Sequence, residues 1–376
     1  MTMQNVARRS VAADLSGILA SPEVSRFIDE LQATRWTGRP GYPIRAMVGM
    51  ALAKSIYAIP TWTRTVALVR EHAGLRAALG SAECPSVYAC YRFATKLREH
   101  KHLLDACIDA VLGRLREANP GMGENVAIDG SDMPAYANGQ RFKSKNGPER
   151  KPEEYSDPEA SWGHRSAVST RKGGGYYGYK VHAAVDTLTG LPLAWTIETA
   201  KAAEVNFALP LIDAAKARGF AMRTAIMDKG YDTGPIHDGC MERGLYPVTA
   251  LVKSGRVKRG EHKPPSCKHG EWTFAGADFK RKATKWRCPT GECAPASTWI
   301  KADRLHPLIP RTTERSRKLY KSRGAVEREF GRLKHEWGLL PLRVRGLERV
   351  RLHADLTILA KLSCALARAR AVPLAA

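Results

Sequence analysis

The spacing of apolar residues changes along the chain, and each change marks a new kind of element. Through residue 119 the period is helical. RAMVGMALAKSIYAI and TRTVALVREHAGLRAAL place apolar residues three and four apart, with breaks at Pro60 and Gly80. Pro85-Ser86 opens a further helix, on which Val87, Cys90, Tyr91, Ala94 and Leu97 form one stripe, with Arg92 and Lys96 opposite. Beyond residue 120 strands take over. ENVAID reads as a short strand, YYGYKVHAAVD and LPLAWTIETA as two strands around a tight turn, FAMRTAIMD as a buried strand and YPVTALV as a fifth. VNFALPLIDAAKARG and GPIHDGCMERG are the helices between them. This order predicts an α/β unit with a mixed five-stranded sheet flanked by helices. Residues 140–174, polar and Gly-rich, predict a mobile loop. Residues 254–310 are Pro- and Lys-rich with β-like pieces (EWTFAG, TKWRC), as in a small β-rich insertion, and helix returns at 315–337 and 347–371. The expected organisation is a helical domain at 1–119, an α/β domain formed by 120–253 and 311–376, and the insertion at 254–310.

Composition narrows the class. A hydrophobic fraction of 44% in 376 residues is that of a folded protein. No apolar run nears the ~20 residues of a membrane span, and the first residues lack the sustained apolar core of a secretory signal. Eight scattered cysteines fit a reducing cytoplasm rather than a disulfide scaffold. The net charge of +23 is unevenly placed: residues 121–250 carry −1, whereas 251–350 carry +15. A block this basic calls for a polyanion, because each neutralised phosphate releases condensed counterions. Trp272, Phe274, Trp286 and Trp337 lace the block, which favours a folded DNA- or RNA-binding surface over a solvated tail. GGGYYGYK lacks the Gly-Lys-Ser/Thr ending of a phosphate-binding loop, so no nucleotide cofactor is expected.

The chemistry rests on acids. Asp129 follows VAI and Asp228 follows AIM, each at the end of an apolar strand, the rim where open α/β sheets bind ligands. Further on, Tyr320, Arg323, Glu327 and Lys334 are spaced 3, 4 and 7 apart. On one helix, at about 100° per residue, they fall on one narrow polar stripe beside an apolar stripe of Leu319, Val326, Phe330, Leu333 and Trp337. Gly324 threatens the first turn of that register. Glu329, about 160° round from Glu327, is expected in solvent.

Tyr320, Arg323, Glu327 and Lys334 match the Tyr-x2-Arg-x3-Glu-x6-Lys signature, and in this the chain resembles the bacterial insertion-sequence DDE transposases, which have a ribonuclease H-like catalytic core. AIDGSD around Asp129, GYKVHAAVD at 178–186 and DKGYD at 228–232 resemble that family's landmarks in the right order, and GRPGYPIRAMVGMAL and PSVYACYRFATKLRE resemble its helical N-terminal domain. The likeness spans roughly residues 38–370. The departure is the gap of 98 residues between Asp228 and Glu327, which holds the insertion. The resemblance implies a catalytic triad of Asp129, Asp228 and Glu327 holding two Mg²⁺ (or Mn²⁺) ions, and phosphate contacts from Tyr320, Arg323 and Lys334. It also implies double-stranded DNA as partner, a homodimer in the DNA complex, and cleavage at terminal repeats followed by strand transfer. Arg92 and Lys96 are the DNA-facing candidates of the helical domain. Two other classes stay open: a transposase-derived DNA binder that no longer cleaves, against which the intact acid set argues, and a structure-selective nuclease on the same core.

Four residues of the insertion stand apart. Cys267, His269, Cys288 and Cys293 offer three thiols and an imidazole. Their spacing allows either a tetrahedral zinc site or three reduced thiols in a small β fold. Cys84, Cys90, Cys107, Cys240 and Cys364 read as core. Asp132 and Asp232 read as loop or cap acids, and His182 either faces the acids or is packed in its strand.

Overall fold

The computed structural model describes residues 11–34, 41–140, 148, 151–165, 172–252 and 263–371. Parts of the expected loop at 140–174, the start of the insertion and the first ten residues lie outside these.

Seven helices open the chain: α1 (Val11–Leu19), α2 (Pro22–Ala33), α3 (Ile44–Ile56), α4 (Trp62–Glu71), α5 (Ala73–Leu79), α6 (Val87–Glu99) and α7 (Lys101–Ala118). Helix α2 shows why they pack. Pro22 starts it, and Val24, Phe27, Ile28 and Leu31, on one face, are buried. In α6 the Ser86 hydroxyl caps the first turn by accepting from the Ala89 amide at 3.1 Å. The buried stripe there is Ala89, Cys90, Phe93 and Leu97, while Tyr91 is 54% exposed. This corrects the expected stripe by a rotation of the helix. Phe93 has no polar atom to keep wet, whereas Tyr91 does.

The main sheet has six strands. β1 (Asn125–Pro134), β2 (Ser161–Arg165), β3 (Gly174–Asp186), β4 (Pro192–Thr199), β5 (Thr224–Met227) and β6 (Tyr246–Val248) are joined by α8 (Ala208–Ala217) and α9 (Gly234–Glu242). β3 pairs antiparallel with β1 on one side and, on the other, first with β2 and then with β4. β5 pairs parallel with β1, and β6 parallel with β5. An antiparallel hairpin continued by parallel strands across its first member is the ribonuclease H-like arrangement that the resemblance implies. Two expectations change. The sheet has a sixth strand, β2, inside the segment read as a loop. And β1 is longer than ENVAID, because β3 pairs with it as far as Pro134.

Three helices close the chain: α10 (Glu314–Lys321), α11 (Gly324–His335) and α12 (Leu347–Ala371). Helix α11 lies on β1 and β3, burying Ala325, Val326, Phe330 and Leu333. Helix α12 is buried almost all round between Val350 and Leu366. It packs against α1, α3, α6 and α7 on one side and β4 on the other, so a single apolar cluster runs from the first helices into the sheet. Asp355 is paired within it, accepting from the Trp195 indole at 2.8 Å and lying 3.3 Å from the Lys101 ammonium. The insertion holds a two-stranded ribbon, β7 (Ser266–Cys267) with β8 (Gly270–Glu271), and a three-stranded sheet of β9 (Thr273–Asp278), β10 (Ala283–Arg287) and β11 (Ser297–Lys301). Among the described residues no helix is long and apolar enough to cross a membrane.

Candidate active site

Register places the first two acids. Ile128 and Met227 are partners in the parallel β1–β5 ladder, so Asp129 and Asp228 occupy the next position on neighbouring strands. Their carboxylates are held by backbone. The Gly130 amide donates to Asp129 Oδ1 at 2.8 Å, and the Gly230 amide donates to Asp228 Oδ1 at 2.6 Å, capping the short turn Lys229–Tyr231.

Helix α11 brings the third acid. Glu327 stands in its first turn, 57% exposed, and Arg323, the residue before the helix, joins it to the sheet. One guanidinium nitrogen donates to Glu327 Oε1 at 2.6 Å and the other to Asp129 Oδ2 at 3.2 Å. The structure therefore brings Asp129, Asp228, Glu327 and Arg323 to one place.

The surroundings of Asp129 define the electrostatics. Burial pushes its carboxyl up to about 7, against the Gly130 hydrogen bond; the charges of Asp228 and Glu204 push the same way as burial, and Arg323 opposes them. Glu204, in the turn Glu204–Phe207 after β4, is a member that sequence reasoning missed. It pairs with the Lys180 ammonium at 2.9 Å. Its side chain passes under Gly130, where an added Cβ would come within 3.0 Å of both Glu204 Cγ and His182 Nδ1. A larger residue there would press on both side chains beside Asp129. Nothing in the local pattern marks Glu204; its one hint is a place just past a strand end. His182 pairs with Gly130 across the β1–β3 ladder, is fully buried and stacks on Phe207 at 4.3 Å between centroids. Burial first, and Lys180 second, push its imidazole down to about 3, so it is neutral at physiological pH.

Five expectations need correction. The signature residues do not share one helix: the chain breaks at Ser322, whose hydroxyl donates to the Leu319 carbonyl at 2.6 Å, and Tyr320 lies in the last turn of α10 instead. There it packs beside Ile226, Val248 and Ile309, with Arg323 6.0 Å above its ring. Lys334, expected to contact phosphate, is turned inward instead. It is buried, with its ammonium 2.8 Å from the Ser131 hydroxyl and 3.5 Å from Asp132 on β1. Asp132, buried, also takes Arg165 of β2 at 3.3 Å, so it ties three elements together rather than finishing a loop. Glu329 is not solvated: it is 1% exposed and bonded to Lys361 of α12. Burial raises its carboxyl to about 7 against the pull of Lys361.

Asp232 is likewise more than a cap. Fully buried, it accepts from Arg311 at 2.7 Å, Arg304 at 2.9 Å, the Val252 amide at 2.9 Å and the Thr249 hydroxyl at 3.0 Å, and lies 3.1 Å from His237. It fastens the loop after Asp228 to α9, to the end of β6 and to the segment leading into α10.

Basic and aromatic side chains extend outward from this centre. On α6, Arg92 lies over the ring of Tyr88, which is 68% exposed. Lys96 is half-buried on the same helix. Next to α6 a cleft of about 580 Å³ is lined by Tyr91, Arg98, Tyr136, Arg343 and Arg345 among others, and both of the last two cap the Tyr136 ring, at 5.0 and 5.1 Å. In the insertion Lys280, Arg281 and Lys282 are exposed at the β9–β10 turn, with Arg281 and Lys285 against the Trp299 ring.

The family model described as "Transposase DDE domain" matches residues 121–361, most of the chain. The protein belongs to the transposase DDE domain family. No curated protein matches the sequence. Among solved structures the chain is similar to a piggyBac transposase in a synaptic complex with hairpin DNA, at 12% identity and a TM-score of 0.45, over 95% of this chain and 74% of that one.

Proposed function

We propose that the protein is a DNA transposase that binds the terminal inverted repeats of its own insertion sequence, cleaves phosphodiester bonds there and joins the freed ends to target DNA. The observation that supports this most is the convergence of Asp129, Asp228 and Glu327 from β1, the end of β5 and α11 around one guanidinium. Three acids brought together from separate elements have no use in a protein that only binds a polyanion. Their donor set is all oxygen, and burial first, with the charges of Asp228 and Glu204 after it, raises the proton affinity of Asp129, which fits a hard divalent cation, Mg²⁺ or Mn²⁺. Bound by these carboxylates, two such ions would neutralise charge at phosphorus, activate water and stabilise the leaving 3′-oxygen.

The protein's own groups do the rest. Arg323 is the counter-charge of Asp129 and Glu327. Its planar fork would also suit a phosphate oxygen pair beside the scissile bond. Tyr320 supports that fork from below, and Lys334 works at one remove by fixing Ser131 and Asp132, hence the line of β1. Arg92 and Lys96 meet the duplex from α6, and the insertion's basic turn provides sequence-independent grip.

Two surface variants separate these last roles. Replacing Lys280, Arg281, Lys282 and Lys285 by Gln together is expected to weaken binding to all duplexes alike and to flatten its salt dependence by about 0.9 in log–log slope for each phosphate no longer neutralised. Preference for the element's ends stays. Arg92→Ala with Lys96→Ala is expected instead to reduce the preference for end-containing over random duplex. Affinity measured across a salt series on both duplexes decides it. An unchanged slope in the first variant removes the insertion from the DNA path, and unchanged discrimination in the second removes α6 from end recognition.

A further inference from the structure

The insertion between α9 and α10 poses a stability problem of its own. The β7–β8 ribbon has two residues per strand, none of them buried. A ribbon that short has no stability in isolation. The adjoining sheet buries few apolar side chains, Ala283, Trp286 and Cys288, with Phe274 set edge-on to Trp286 at 5.7 Å. Something other than a core must fix the ribbon to the sheet.

Cys267 lies on β7, His269 in the turn to β8, Cys288 directly after β10 and Cys293 in the loop toward β11. Their ligand atoms all lie within 4.8 Å of one another. Cys267 Sγ to Cys288 Sγ is 3.8 Å, His269 Nδ1 to Cys288 Sγ is 3.5 Å, and Cys293 Sγ to His269 Nδ1 is 3.9 Å. A disulfide needs sulfurs about 2.05 Å apart, so no two of these thiols are bonded. A tetrahedral zinc with Zn–S near 2.3 Å and Zn–N near 2.0–2.1 Å sets the ligand separations at about 3.8 Å for two sulfurs and about 3.5 Å for sulfur and nitrogen. The first two distances match that tetrahedron, and the other pairs, all within 4.8 Å, lie close enough to close onto it. The imidazole is oriented for it as well. Nδ1 faces the sulfurs, while Nε2 lies 3.4 Å from a Glu292 carboxylate oxygen, the outer partner that commonly fixes a ligating histidine. The Thr290 hydroxyl, 2.8 Å from Nδ1 and 3.5 Å from Cys288 Sγ, is placed to donate to the thiolate.

We propose that Cys267, His269, Cys288 and Cys293 bind one structural zinc ion, which fastens the β7–β8 ribbon to the β9–β11 sheet. Four protein ligands fill the tetrahedron and leave no open position, so the ion serves the fold and not the reaction. The site is independent of the acid cluster, and the proposal does not rest on the activity assigned above.

The test is the metal content of the full-length protein, produced in zinc-supplemented medium and purified without chelator. About one zinc per chain is expected in the wild type and in Asp228→Asn, and near none in Cys267→Ser and in Cys293→Ser. Because those variants could fail to fold, His269→Cys serves as the second arm, since it keeps four soft ligands and should retain the metal. Exchange of the wild type with Co²⁺ should give the intense visible bands of a tetrahedral site together with thiolate-to-cobalt charge transfer. A zinc-free wild type, zinc retained in both serine variants, an octahedral cobalt spectrum, or a disulfide among these cysteines would each overturn the proposal.

Discussion

Asp129→Asn, Asp228→Asn and Glu327→Gln are each expected to lower Mg²⁺-dependent strand cleavage by at least about a thousandfold while leaving duplex affinity near wild type. The size follows from the several kcal/mol of transition-state charge stabilisation that a correctly held cation supplies, at about 1.4 kcal/mol for each factor of ten. The retained affinity follows from charge. Each acid repels phosphate, so neutralising it removes a repulsion and no grip. Asp228→Asn is the cleanest of the three, because its side-chain oxygen can still accept from the Gly230 amide and keep the turn capped. Single-turnover cleavage beside gel-shift affinity checks the set. Near-normal turnover in any one variant would take that residue out of the site.

The second large effect is on stability. Asp232→Ala removes the common ion-pair partner of Arg304 and Arg311, two guanidinium groups held mostly inside the protein, and leaves only the weaker influence of Asp303 on Arg311. Breaking a buried pair from one side costs about 3–5 kcal/mol. Asp232 is opposed by burial, yet its bonds to His237, Val252, Arg311 and Thr249 outweigh that and hold its carboxyl well below the ordinary range. A depressed carboxylate stabilises the fold at pH values above its unfolded pKa, and this contribution fades as pH falls below about 4 toward the folded value. The denaturant midpoint of Asp232→Ala should therefore lie far below wild type at neutral pH, and the two should draw together in acid. A midpoint within experimental error of wild type at pH 7 would show that the arginines find other partners. Since Asp232 also anchors the loop after Asp228, slower cleavage should accompany the lost stability.

What the sequence made legible, and what it hid, has a consistent physical cause. Asp129 and Asp228 could be read because an acid after an apolar run is a local pattern, although Asp129 proves to lie within β1, where only the pairing with β5 ends. Glu327 could be read because Val326, Phe330 and Leu333 fix one face of α11 by period alone. Glu329 was misplaced by the same method. The face opposite Glu327 would be wet on a lone helix, but α12, which begins a dozen residues after α11 ends, covers it and supplies Lys361. Lys334 and Asp132 were misjudged for the same reason, since their partnership joins residues about two hundred positions apart. β2 escaped notice because a strand paired on one side only, with half-exposed and exposed residues alternating along it, carries little apolar signal. Glu204 has no local mark: its place beside Asp129 exists only once β4 has paired with β3. Periodicity reports one element against one neighbour, and these residues answer to two.

On the proposed reading, Asp129 within β1, Asp228 at the end of β5 and Glu327 on α11 serve a metal-dependent DNA-cleaving enzyme. The most direct measurement uses the full-length protein and a duplex carrying the DNA that flanks its reading frame, with the chemistry of the cleaved ends determined in Mg²⁺, in Mn²⁺ and in chelator. The predicted result is strand cleavage in either metal and none in chelator, with a free 3′-hydroxyl that a polymerase can extend. Cleavage undiminished by chelator, or ends left as a 3′-phosphate or linked to protein, would contradict it.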